Sequence, residues 1–103
     1  MTTKEPARHA ERSAALFNNR HLVAIVNAIE ARPAKRPFTT RQLAVATDLP
    51  DSLVRPVVQR LLAANLIWLC NHEAGSRGAK YYEPVDDSAW LRLELLCGSL
   101  ADS

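Results

Sequence analysis

Glycine is scarce in this chain, with three among 103 residues. None belongs to a glycine-rich loop able to cradle phosphates, and carboxylates lie scattered towards the tail. With no Ser/His/Asp or Cys/His pairing suggested by context, no enzyme is expected. Cysteine is equally sparse. Cys70 and Cys97 form neither a CxxC nor a zinc-finger spacing, so no metal or other cofactor is expected. Cys70, His72 and Cys97, even with His9 or His21 added, match no structural zinc pattern. A redox-sensing thiol would need a depressed pKa, and a buried Cys acting as a small hydrophobe is the default. No apolar run reaches about 18 residues, so no membrane span is expected. The first residues, MTTKEPARHAERS, are polar and lack the apolar region of a secretory signal. A cytoplasmic protein with reduced thiols is therefore expected.

What is present is an ordinary globular composition, 48% hydrophobic and 23% charged, sufficient for one domain with a single modest core. The net charge of +2 argues weakly for nucleic acid, but its distribution says more. Residues 1–80 hold 12 Lys and Arg against 6 Asp and Glu, net +6, while residues 81–103 hold 1 against 5, net −4. A basic body with an acidic tail fits one face turned towards DNA and another kept from phosphate.

The most informative stretch is 39–67, TTRQLAVATDLPDSLVRPVVQRLLAANLI. Thr39 and Thr40 can each cap a helix carrying Leu43, Ala44 and Ala46. That helix stops at Asp48-Leu49-Pro50, because proline disfavours helical geometry in the residue before it. Asp51 or Ser52 is expected to cap a second helix, in which Val54, Val57, Val58, Leu61 and Leu62 follow the spacing of one buried face. Asn65 suits the left-handed residue that ends such a helix.

Around this unit, residues 1–9 carry Pro6 and no apolar pattern and are expected to form a disordered arm. Residues 10–31 are helical in pattern, with Leu22, Ile25, Val26 and Ile29 as a stripe; Asn18-Asn19 either breaks this region or is crossed by one long helix. Pro33 and Pro37 bracket a loop containing Lys35 and Arg36. Ile67–Cys70 and Tyr81–Glu83 favour strands, and Gly75 and Gly78 mark a turn between them, so a β-hairpin with a basic tip is expected. Ser88 starts a last helix. The units are thus an arm (1–9), a domain (10–87), and a terminal helix with its tail (88–103).

This order of helices and hairpin resembles the winged helix-turn-helix family of DNA-binding transcription regulators. The residues carrying the resemblance are Gln42-Leu43-Ala44, Leu49, Ser52, Val54, Val58, Leu61 and Ala64-Asn65-Leu66-Ile67, over roughly residues 20–85. Asn65 stands where the family usually has Gly. Pro56 lies about one turn into the recognition helix, so a late start or a bend is expected there. Leu53 occupies a position often polar in the family. The resemblance implies a mainly α fold, with a three-helix core, a two-stranded wing and flanking terminal helices. Those terminal helices are similar to the dimerising helices of MarR-like small repressors.

Within that frame, Arg55 and Gln59 lie four residues apart on the face opposite Val54, Val58 and Leu61, and Ser52 begins the same face. Arg reads guanine O6 and N7, and Gln reads adenine N6 and N7, so these three are the expected base readers. Thr39, Thr40 and Arg41 at a helix N-terminus suit a phosphate oxygen. Arg60 points further round, towards phosphate or a neighbouring side chain. Arg77 at the hairpin tip and Lys80 beside it would reach the adjacent groove, whereas His72 is an ordinary surface residue. Trp90, Leu93, Leu96, Cys97 and Leu100 form a stripe, widened by Leu91 and Leu95, that either folds onto the chain's own core or pairs with a second copy. Pairing is expected, with the N-terminal helix as a further contributor. The reading is a homodimeric, nucleoid-associated prokaryotic transcriptional regulator that binds double-stranded DNA. The rivals are a protein-interaction module, with the terminal helix and Leu53 as contacts, and a DNA-binding component of replication or partition machinery.

Overall fold

The computed structural model describes residues 5–32, 37–70, 80–85 and 88–102. It is mainly helical, in the order α1 (Glu5–Phe17), α2 (Leu22–Glu30), α3 (Thr40–Thr47), α4 (Asp51–Ala63), β1 (Ile67–Cys70), β2 (Tyr81–Pro84) and α5 (Ser88–Asp102). The hairpin tip, with His72, Gly75, Arg77 and Gly78, lies outside the described residues, as do Lys35 and Arg36.

Where glycine is scarce, Asn and Asp end the helices. Asn18, Asp48 and Asn65 adopt φ of 58°, 60° and 62°, a region that short polar side chains tolerate better than most. Asn18 closes α1, so the Asn18-Asn19 pair breaks the first helical region into two. Helix α1 starts at Glu5, ahead of the Ala10 start read from the sequence. Pro6 then sits in the first turn, where its missing N–H has no intrahelical partner to lose. Ser13 welds α1 to α2. Its fully buried hydroxyl donates to the Asn19 carbonyl and accepts from the Val23 N–H at 3.1 Å, satisfying a free donor of the α2 N-terminus.

Thr39 caps α3 through a reciprocal box. Its hydroxyl accepts from the Gln42 N–H, and the Gln42 side chain accepts from the Thr39 N–H, both at 3.1 Å. Asp48 then turns the chain left-handed, and the Leu49 N–H reaches back to the Ala44 carbonyl at 3.0 Å. The start of α4 differs from expectation. Pro50, not Asp51 or Ser52, stands at the N-cap, and no side chain caps there. Proline's fixed φ already sets the entry to the helix, so Asp51 becomes the first helical residue, where a carboxylate complements the helix dipole. Pro56 neither delays nor ends the helix, which continues to Ala63.

Leu22, Val23, Ile25, Val26 and Ile29 of α2 meet Leu43 of α3 and Val54, Val57, Val58 and Leu61 of α4 in one buried core. The strands pair antiparallel, Ile67 opposite Pro84 and Cys70 opposite Tyr81. Phe38 adds a rung on the other edge of β2. It exchanges two backbone hydrogen bonds with Tyr82, each 2.8 Å, and packs its fully buried ring 6.0 Å from the tyrosine ring centroid. This rung ties the ribbon to the start of α3.

Helix α5 lies against α2 and α1. Trp90 and Cys97 are buried, Leu93 and Leu100 pack beside them, and the Cys97 and Leu100 carbonyls accept from Asn27 Nδ2 and Arg12 Nη1, each at 3.2 Å. The expected dimer stripe of Trp90, Leu93, Cys97 and Leu100 is therefore covered by the chain's own core. A helix of this length is marginal alone in water and takes the nearest apolar surface, the open side of α2. Leu96 departs from the stripe and is exposed with Leu91 and Leu95. No helix among the described residues is long and apolar enough to cross a membrane.

Candidate nucleic-acid interface

The turn between α3 and α4 places the exposed side of α4 beside the N-terminus of α3, and the Phe38–Tyr82 rung ties β2 to the segment that enters α3. The result is an open groove of about 470 Å³ lined by Thr39, Thr40, Arg41, Asp51, Arg55, Gln59, Lys80 and Tyr82. Residues from three segments distant in sequence thus share one surface. Six of the residues expected to contact DNA border it: Thr39, Thr40, Arg41, Arg55, Gln59 and Lys80. Ser52 lines an adjoining concavity along α4 with Asp51, Arg55, Pro56 and Gln59.

Arg41, Ser52, Arg55, Gln59 and Lys80 are all exposed, as side chains that meet a large partner must be. Among the described residues, the groove presents three cations, Arg41, Arg55 and Lys80, against the single carboxylate of Asp51. Arg55 Nη2 lies 3.9 Å from Asp51 Oδ2, one turn back on α4. That distance is longer than a hydrogen bond, and at an exposed site such a contact leaves the guanidinium free to move. The hydroxyl of Thr39 already caps α3 by accepting from the Gln42 N–H, and Thr40 and Arg41 of its first turn line the groove.

Arg60 belongs elsewhere. Its Nη2 donates to the Phe17 carbonyl at 2.8 Å, so it satisfies a free carbonyl at the C-terminus of α1, where a cation also complements the helix dipole. Arg60 thus lies outside the groove's lining, bonded to the end of α1. Sequence reasoning passed over Asp51 as a groove residue, reading it as a capping candidate, and passed over Tyr82 and Phe38. The signal for Asp51 was its position four residues before Arg55; for the aromatic pair there was none without the fold.

The cysteines are set up as inert thiols. Burial, then a hydrogen bond to Glu83 and its negative charge, push Cys70 up to about 11, and burial alone pushes Cys97 up to about 11. Neither carries the thiolate character that a redox sensor uses. Among the described residues no group of three His, Cys, Asp or Glu side chains converges as a metal site would require. Compared with known proteins, the chain matches no protein-family model and no curated protein sequence.

Proposed function

We propose that this protein is a winged helix-turn-helix regulator that binds double-stranded DNA sequence-specifically. In this reading α4 enters the major groove, Arg55, Gln59 and Ser52 meet base edges, and the N-terminus of α3 with Thr40 and Arg41 meets phosphate. Lys80 at the root of the ribbon takes a further phosphate. The observation that carries the reading is the gathering of Thr39, Thr40, Arg41, Arg55, Gln59 and Lys80 around one open groove. The charge split along the sequence agrees with it, since Glu94 of the acidic tail lies on α5 rather than in that groove.

A two-fold pair is the usual way for such a regulator to read a pseudo-palindrome. The surface of α5 available for pairing is Leu91, Leu95 and Leu96. The same leucines, together with Leu53, which is 41% exposed, favour the second reading, a winged helix used as a protein-interaction module. A gel shift with random duplex at two salt concentrations separates the readings. DNA binding predicts retardation that weakens steeply as salt rises, because phosphate contacts release counterions. A chain that retards no duplex at low salt is the interaction module.

A further inference from the structure

Among the described residues, the one carboxylate lining the groove sits where a DNA-binding surface would be expected to avoid it. Asp51 borders both the main groove and the adjoining concavity, so a phosphate tract laid along either would run past a negative charge. One turn on, Arg55 offers donors only. The surface therefore carries an acceptor and a donor fork separated by four helical residues, about 6 Å along the axis. That rise corresponds to one or two base-pair steps of about 3.4 Å.

We propose that Asp51 is the specificity-determining residue of this interface: its carboxylate accepts from the N4 amino group of a cytosine, while Arg55 reads a guanine one or two base pairs away. The inference rests on the DNA-binding reading above. Cytosine presents an amino donor alone at its major-groove edge, whereas adenine sets the N7 acceptor beside its amino group, which a carboxylate repels. Off its site, Asp51 stays near Arg55 and offsets the charge that would otherwise hold the protein to any phosphate backbone. On its site, Arg55 turns to guanine and the released carboxylate takes the cytosine amino group. Asp51 thus raises discrimination both by rewarding cytosine and by weakening the grip on every other sequence.

The test is selection of bound duplexes from a random pool by wild type, Asp51→Asn and Arg55→Ala, with anisotropy titrations on the selected and on a random duplex. The wild-type site should contain a guanine and a cytosine preference one or two positions apart. Asp51→Asn should lose the cytosine preference by roughly tenfold, keep the guanine preference, and bind random duplex severalfold more tightly. Arg55→Ala should lose guanine and keep cytosine. Asp51→Ser, which also removes the carboxylate, should repeat the Asp51→Asn result and serves if that variant melts early. An Asp51→Asn selection identical to wild type, or one that loses both preferences together, overturns the proposal. Wild type that binds duplex with no cytosine in its site removes the Asp51 assignment alone. Wild type that binds no duplex removes the DNA-binding reading and the proposal with it.

Discussion

Helices α4 and α5 are similar in length and carry apolar stripes of the same spacing, yet they end in opposite situations. In α4 the stripe of Val54, Val57, Val58 and Leu61 is buried and the outer side is mostly polar, with Ser52, Arg55 and Gln59 exposed. In α5 the stripe of Trp90, Leu93, Cys97 and Leu100 is covered by α2 and α1, but the outer side still shows Leu91, Leu95 and Leu96. An apolar stripe reports that a helix must be covered and does not report by what. The residues on the far side decide what the covered helix can then do. On α4 they are donors and acceptors suited to base edges; on α5 they are leucines suited to another apolar surface.

The largest effect that can break this contrast is Trp90→Ala. An indole buried in the chain's own core should leave a cavity costing about 3–5 kcal/mol, seen as a loss of Tm of the same size at every protein concentration. A loss of Tm whose size changes with concentration would instead place Trp90 between two copies. Replacing Leu95, 62% exposed, with Glu should shift unfolding by less than about 0.5 kcal/mol. If that outer face pairs, the same variant should turn a dimer into a folded monomer in sedimentation equilibrium.

On α4, Arg55→Ala should cost about 1–3 kcal/mol of discrimination at one base pair with little change in Tm. Arg60→Ala should do the reverse. Losing its bond to the Phe17 carbonyl should cost roughly 1 kcal/mol of stability and leave sequence preference and salt dependence unchanged. A fall in DNA affinity as large as that of Arg41→Ala would return Arg60 to the interface.

The smallest effect concerns pH. Burial raises the folded Cys97 thiol from 9.0 to about 11, so on making the solution alkaline the unfolded chain loses its proton first. The unfolded state then binds fewer protons, and stability falls as pH rises between those two values. Cys97→Ala should show a shallower loss of Tm than wild type over that interval. Parallel Tm curves for the two proteins would contradict the burial assigned to Cys97.

Much of this architecture was legible because it is local. Threonine before α3, the Asp48-Leu49-Pro50 stop, Asn65 after α4 and the strand-forming Ile67–Cys70 each follow from neighbouring residues. The groove was legible in its members, since Arg55 and Gln59 share a helical face by spacing alone. What was not legible depends on contacts distant in sequence. The Phe38 rung requires Tyr82 of the ribbon, and the Arg60 bond requires the end of α1, 43 residues earlier. The cover of α5 requires knowing that α2 leaves one side open. Asp51 was hidden for another reason: a carboxylate before a helix usually reads as a cap, and here Pro50 takes that position.

The central claim is that the groove is an interface for the DNA backbone as well as for bases. It is tested most directly by titrating wild type and Arg41→Ala with a random duplex across a range of salt concentrations. With Arg41 and Lys80 on phosphates, log affinity should fall against log salt with a slope of about −2 for one copy, and Arg41→Ala should make it shallower by about 1. A wild-type slope near zero, or a slope that Arg41→Ala leaves unchanged, would contradict the account.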